Sequence, residues 1–155
     1  MARNHWLIKS EPGAYSIHDL ERDGETEWSG IRNYQARNFM RDRMAVGDGI
    51  LFYHSNTDPL GVYGVAEVAS EAHPDSTQFD EDGHYHDPKS DPEEPTWMCV
   101  DVRHVETFDA PVTRDAMKAE PGLSDMLVLK RGARLSVQPV TKREFDTVVR
   151  MGHGG

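Results

Sequence analysis

Two alternating segments, residues 50–54 and 61–69, stand a short turn apart, and they restrict the fold more than any other feature. In the first, Ile50, Phe52 and His54 share one face and Leu51 and Tyr53 the other, the period of a strand. In the second, Val62, Gly64, Ala66 and Val68 alternate with Tyr63, Val65 and Glu67. Asn56-Thr57-Asp58-Pro59 reads as the turn between them. Gly61 and Gly64 inside a strand signal close backbone approach or a bend, as small barrels require at their corners. Shorter strands fit residues 6–9, 97–105 (with Met98, Val100 and Val102 on one face) and 134–137, the last closed by Pro139.

Helical segments separate these strands. Ser16, with Asp19 three residues on, caps a short helix. A second helix runs from about residue 33 to 44. Ala36, Phe39 and Met40 make its apolar stripe, Arg37 and Arg41 lie beside it, and Val46-Gly47-Asp48-Gly49 ends it. Short helices fit residues 113–119 and 124–129, and Thr141 with Glu144 opens a terminal helix by a capping box. Residues 151–155 read as a frayed tail, and residues 73–95 as a long acidic excursion rich in proline. With no internal repeat or linker, strands separated by helices of varied length predict one domain over residues 1–155, a mixed α/β or α+β barrel.

Charge narrows the partners. The net charge is −10, which argues against non-specific polyanion binding. The charge is uneven, however. Residues 1–56 carry 7 Lys/Arg against 8 Asp/Glu, residues 57–110 carry 2 against 14, and residues 111–155 carry 8 against 5. The acidity sits in the middle third, and the flanking thirds tolerate a local phosphate contact. No apolar run is long enough to span a membrane and no signal peptide is evident, which predicts a soluble intracellular protein, cytoplasmic or associated with a nucleoid or nucleus. The single cysteine, Cys99, excludes an intramolecular disulfide and a Cys-based zinc site, and reads as a packed strand residue.

The residues able to carry chemistry concentrate in Trp28-Ser29-Gly30-Ile31-Arg32-Asn33-Tyr34 and in Phe52-Tyr53-His54-Ser55-Asn56. A flat aromatic, fixed amides and a helix N-terminus suit a planar polar ligand carrying an anion, a nucleotide among others. Trp28 can stack on a base. Asn33, Ser10, Ser55, Asn56, Ser136 and Gln138 offer neutral donors and acceptors to its edge, and Lys9, Arg32, Arg37 and Arg134 offer phosphate contacts. Two other readings remain open at this level. One is a nucleotide-directed enzyme using His54 with Glu11 and Asp87; the other is a barrel binding a metabolite or a partner, with 73–95 as docking surface. Lys9-Ser10-Glu11 and His54-Ser55 lack the base-and-orienter set of a nucleophile. His84-Tyr85-His86-Asp87 has the look of a metal-binding run in an acidic loop, where such runs are mostly incidental.

In sequence order, Trp6-Leu7-Ile8-Lys9-Ser10-Glu11-Pro12, the Trp28 stretch to Asn38, Tyr53-His54-Ser55-Asn56, Tyr85-His86-Asp87-Pro88-Lys89-Ser90, Pro95-Thr96-Trp97 and Arg134-Leu135-Ser136-Val137-Gln138-Pro139-Val140 resemble the EVE-domain family over about residues 5–148. His86 departs from the tyrosine usual in that family. The resemblance implies a PUA-like barrel related to YTH and ASCH domains. It also implies a non-enzymatic reader of a modified nucleobase, of the 5-methylcytosine or 5-hydroxymethylcytosine type or a modified RNA base, in flipped or single-stranded DNA or RNA. The site it implies comprises Lys9, Ser10, Trp28, Gly30, Ile31, Arg32, Asn33, Tyr34, Arg37, His54, Ser55, Asn56, Trp97, Arg134, Ser136 and Gln138, with no catalytic residue, metal or cofactor.

Overall fold

The computed structural model describes residues 3–132 and 134–154. Six strands form one mixed sheet: β1 (His5–Ser10), β2 (Glu25–Glu27), β3 (Gly49–His54), β4 (Gly61–Val68), β7 (Asp101–Thr113) and β8 (Val137–Val140). Their order is β2-β7-β4-β3-β1-β8. The pairing of β1 with β3 is parallel and the others are antiparallel. The sheet curls into a half-barrel rather than a closed one, with β2 and β8 at its edges. Two short strands, β5 (His73–Pro74) and β6 (Met98–Cys99), pair separately.

Both faces of the sheet are covered, which explains why β3 is buried along its whole length. On one face Trp6, Ile8, Ile50, Phe52, Ala66 and Val68 pack against α1 (Ile17–Asp23) and α2 (Tyr34–Asp42). On the other, Leu7, Leu51, Tyr53, Val65 and Phe108 pack against α3 (Arg114–Lys118) and α4 (Lys142–Gly152). Burial of each large apolar side chain contributes roughly 1.5–3 kcal/mol. The alternation expected for 50–54 holds. In β4 the phase flips: Val62 joins the second core while Ala66 and Val68 join the first. Against β3, Phe52 pairs with Gly64 and Tyr53 with Val62, so Tyr63 is an extra residue in β4, and this bulge causes the flip.

The expected caps form. Ser16 and Asp19 make a capping box on α1, and Thr141 and Glu144 make one on α4. The α2 stripe buries Ala36 and Met40. Asp48, beyond that helix, is buried but satisfied, accepting from the Asn4 and Ala45 N–H groups and from Trp6 Nε1 at 3.0 Å. Two expectations need correction. Residues 124–129 form no α-helix; 3-10 turns at Pro121–Leu123 and Leu127–Leu129 bury Leu123 and Val128 instead. The tail is not frayed from residue 151, because α4 runs to Gly152 and the His153 ring pairs with Glu106 at 2.8 Å; Gly155 lies outside the described residues. The acidic excursion is also built rather than loose. It contains β5, a 3-10 turn at Ser76–Phe79 and the fully buried Gln78, whose side chain bridges Asp75, Ser90 and Trp97.

Candidate functional site

Where β1 ends and β2 runs into the Trp28 loop, the chain leaves a cavity of about 460 Å³. Lys9, Ser10, Glu11, Ala14 and Tyr15 line one side, Thr26, Glu27, Trp28, Ser29, Gly30 and Ile31 another, and Tyr85 reaches over from the acidic excursion. Ser10 Oγ donates to the Tyr15 carbonyl, which folds residues 11–15 into a wall. The Tyr15 ring meets Trp28 edge-on, and its hydroxyl donates to Asp23 at 2.8 Å. Burial, then Asp23, push that phenol up to about 12, so it is a hydrogen-bonded wall and not an acid.

Trp28 is a wall too, 8% exposed, anchored by its N–H to the Val100 carbonyl and edge-on to Phe52. Its Nε1 is buried without a protein partner among the described residues. Gly30 has a φ of +84°, and a Cβ there would stand 2.9 Å from the Tyr85 ring. The glycine thus lets an aromatic face close onto the backbone beside Trp28. Tyr85 is 43% exposed and makes the accessible aromatic surface of the site. Lys9 lies at the opposite end, where burial first and Arg114 second hold its ammonium below the usual lysine range.

Of the residues expected from sequence, Lys9, Ser10, Trp28, Gly30 and Ile31 meet at the cavity. The others lie outside its lining, and their bonds say why. Asn33 is exposed, and its Oδ1 accepts the Ala36 N–H as the cap of α2. Arg32 binds buried Asp75 at 3.1 Å, Thr77, and the Tyr85 carbonyl at 2.6 Å. Arg37 likewise donates to the Thr96 carbonyl and to Asn38. Tyr34 stacks on Trp97 at 5.0 Å, while Trp97 Nε1 donates to Asp87, which places both in a scaffold behind the loop. Ser55 donates its N–H to the Ser10 carbonyl and Ser136 accepts from the Lys9 N–H. Gln138 is buried against the Leu135 carbonyl, Asn56 occupies a turn at φ 53°, and Arg134 is exposed. Sequence reasoning missed Tyr15, Thr26, Glu27, Ser29 and Tyr85 as cavity lining. Ser29 and Tyr85 carried a signal, through their places in family-like motifs.

His54, the proposed base of the enzymatic alternative, is a structural anchor. It is 2% exposed, stacks on Tyr63 at 4.0 Å, and its Nε2 accepts the Ile17 N–H at 3.1 Å, which fixes the start of α1. Burial, then His18, lower its pKa to about 4. A folded pKa below the unfolded value of 6.5 gives stability that is full above 6.5 and lost as pH falls toward 4. Acidifying from neutral to about pH 5 is therefore expected to cost about 2 kcal/mol through this group. Urea midpoints across that window check it: His54→Gln should flatten the slope, and an equal slope in the variant would refute the assignment.

The frame of this chain is a half-barrel covered on both faces, with an aromatic, polar cavity at the strand ends. The chain belongs to the EVE-domain family, whose profile matches residues 4–151. It is 39% identical to human thymocyte nuclear protein 1, covering 94% of this chain and 72% of that protein. Among solved structures, a hypothetical protein from Leishmania major is 43% identical with a TM-score of 0.93, covering 99% of this chain and 96% of that one. Human THYN1, crystallised in complex with 5-methylcytosine-containing DNA, is 38% identical with a TM-score of 0.87, covering 96% and 97%. No helix among the described residues is long and apolar enough to cross a membrane.

Proposed function

We propose that this chain is a non-enzymatic module that holds one modified nucleobase of DNA or RNA in the Trp28–Tyr85 cavity. The observation that carries the reading is the cavity itself, in a fold shared with a human protein crystallised on 5-methylcytosine-containing DNA. Its volume, about 460 Å³, falls in the ~300–1,000 Å³ range of small-ligand pockets. Tyr85 supplies the open aromatic face and Trp28 the inner wall. Ser10, Thr26 and Ser29 supply neutral polar atoms, and Glu11 supplies an acceptor for an exocyclic amine. A duplex hides the modified edge, so the base enters flipped or from a single strand. With Arg32 and Arg37 engaged internally, affinity rests on the pocket more than on phosphates. Such a module works where nucleic acid is, in the cytoplasm or at a nucleoid or nucleus.

Titration of oligonucleotides carrying cytosine, 5-methylcytosine or 5-hydroxymethylcytosine tests the reading. A modified base should bind more tightly than cytosine. Tyr85→Ala, on an exposed ring, should weaken binding by the roughly 5–150-fold that corresponds to ~1–3 kcal/mol of base stacking. Equal affinity for all three, unchanged in the variant, would refute a modified-cytosine reader.

A further inference from the structure

Behind the Glu27 wall of the cavity lies a cluster that the base-binding reading does not use. β5 and β6 pair so that His73 and Cys99 are direct cross-strand partners. β2 and β7 pair so that Glu27 faces Asp101. These two pairs bring one donor atom each of Glu27, His73 and Cys99 within 4.8 Å of one another. His73 Nε2 stands 2.8 Å from Asp101 Oδ1, and His73 Nδ1 stands 3.1 Å from the Pro74 carbonyl oxygen, a contact an ion would displace, and 3.9 Å from Glu27 Oε2. The other Glu27 oxygen is occupied by the Ser76 N–H and hydroxyl.

We propose that Glu27 Oε2, His73 Nδ1 and Cys99 Sγ form a binding site for a divalent cation of the zinc class, with Asp101 orienting the imidazole. The spacing is the first argument. At 3.9 Å the Glu27 oxygen and the ring nitrogen are too far apart for a hydrogen bond. Two donors on a tetrahedral ion at ~2.0–2.1 Å stand about 3.3 Å apart, so a small closure suffices. The donor set is the second. Thiolate, imidazole and carboxylate together select a borderline-soft ion over magnesium or calcium. The third is the arrangement around the ring. A ligating histidine typically offers its second nitrogen to a carboxylate, the position that Asp101 holds.

Binding transfers the Cys99 thiol proton to solvent, along with any proton on His73 Nδ1, and leaves thiolate–metal and imidazole–metal bonds with no change of oxidation state. Water completes the coordination shell on the exposed side, where His73 and Glu27 remain about a third accessible. The ion would clamp the acidic excursion to the sheet edge, directly behind the cavity.

Cobalt(II) titration of chelator-treated protein tests the site without nucleic acid, so its failure leaves the base-binding reading untouched. A saturable 1:1 sulfur-to-cobalt charge-transfer band, displaced by zinc and accompanied by proton release, is expected. His73→Gln, at a part-exposed position, should weaken cobalt binding by at least ~10-fold, and Cys99→Ser should abolish the band. No such band in the folded wild type at excess cobalt would overturn the proposal. So would a band of unchanged affinity in His73→Gln, which keeps the test valid even if the buried Cys99→Ser variant fails to fold.

Discussion

Asp75→Ala is expected to destabilise the protein by about 3–5 kcal/mol and to weaken ligand binding with it. Asp75 is 1% exposed, yet it stays ionised. Burial alone would raise its pKa, but hydrogen bonds from Thr77, the Gly30 N–H and Arg32 outweigh burial and bring it below the usual carboxylate range. The Gly30 N–H donates at 2.8 Å and Arg32 at 3.1 Å, so this one carboxylate ties the Trp28 loop to the acidic excursion. Removing it strands a mostly buried guanidinium whose other bonds reach Thr77 and the Tyr85 carbonyl. Tyr85 would then lose its seat over Gly30, and the cavity its aromatic face. Urea denaturation and oligonucleotide titration on the same variant check both halves. Asp75→Asn, which keeps the acceptor shape without the charge, should fall between wild type and alanine. A midpoint shift below about 1 kcal/mol in Asp75→Ala would show that the clamp contributes nothing beyond an exposed pair.

That clamp explains where sequence reading stopped. Trp28 and Gly30 were legible because a tryptophan before a glycine and a capped helix is a local pattern, and local patterns fix local geometry. The roles of Arg32 and Arg37 were not. Each guanidinium is consumed by a group about 40–60 residues away, Asp75 and the Thr96 carbonyl, and nothing in spacing reveals such a partner. Asn33 was visible as a polar residue at a helix start, and its Oδ1 caps α2 there. Tyr85 was hidden for the same reason as the metal cluster: its neighbours are made by folding of the 73–95 segment, which reads only as acidic loop. His73 and Cys99, 26 positions apart, become neighbours solely through the β5–β6 pairing. The strands were legible in place, but β4 lost its phase at the bulge, because the extra Tyr63 flips every later side chain.

The same bulge makes Gly64→Ala the second large effect, a loss of about 3 kcal/mol. A Cβ at Gly64 would stand 2.4 Å from the Glu106 carbonyl oxygen in β7 and 2.7 Å from the Ile17 side chain. The first neighbour is backbone and cannot rotate away. The second is fully buried at the start of α1, held there by the His54 bond to its N–H. Relief must therefore come from opening the β4–β7 ladder or lifting α1. Lifting α1 would pull on Ser16 and on the 11–15 turn that walls the cavity, so any folded fraction should also bind its ligand less well. Gly132→Ala provides the control for a general glycine effect. Gly132 also has a positive φ, +79°, but nothing within 4 Å of its Cβ position. It should cost only the backbone strain of a single residue, roughly 1 kcal/mol. If thermal melts show Gly64→Ala no worse than Gly132→Ala, close approach of β4 and β7 is not what requires the glycine, and the sheet has more room to curl than its register implies.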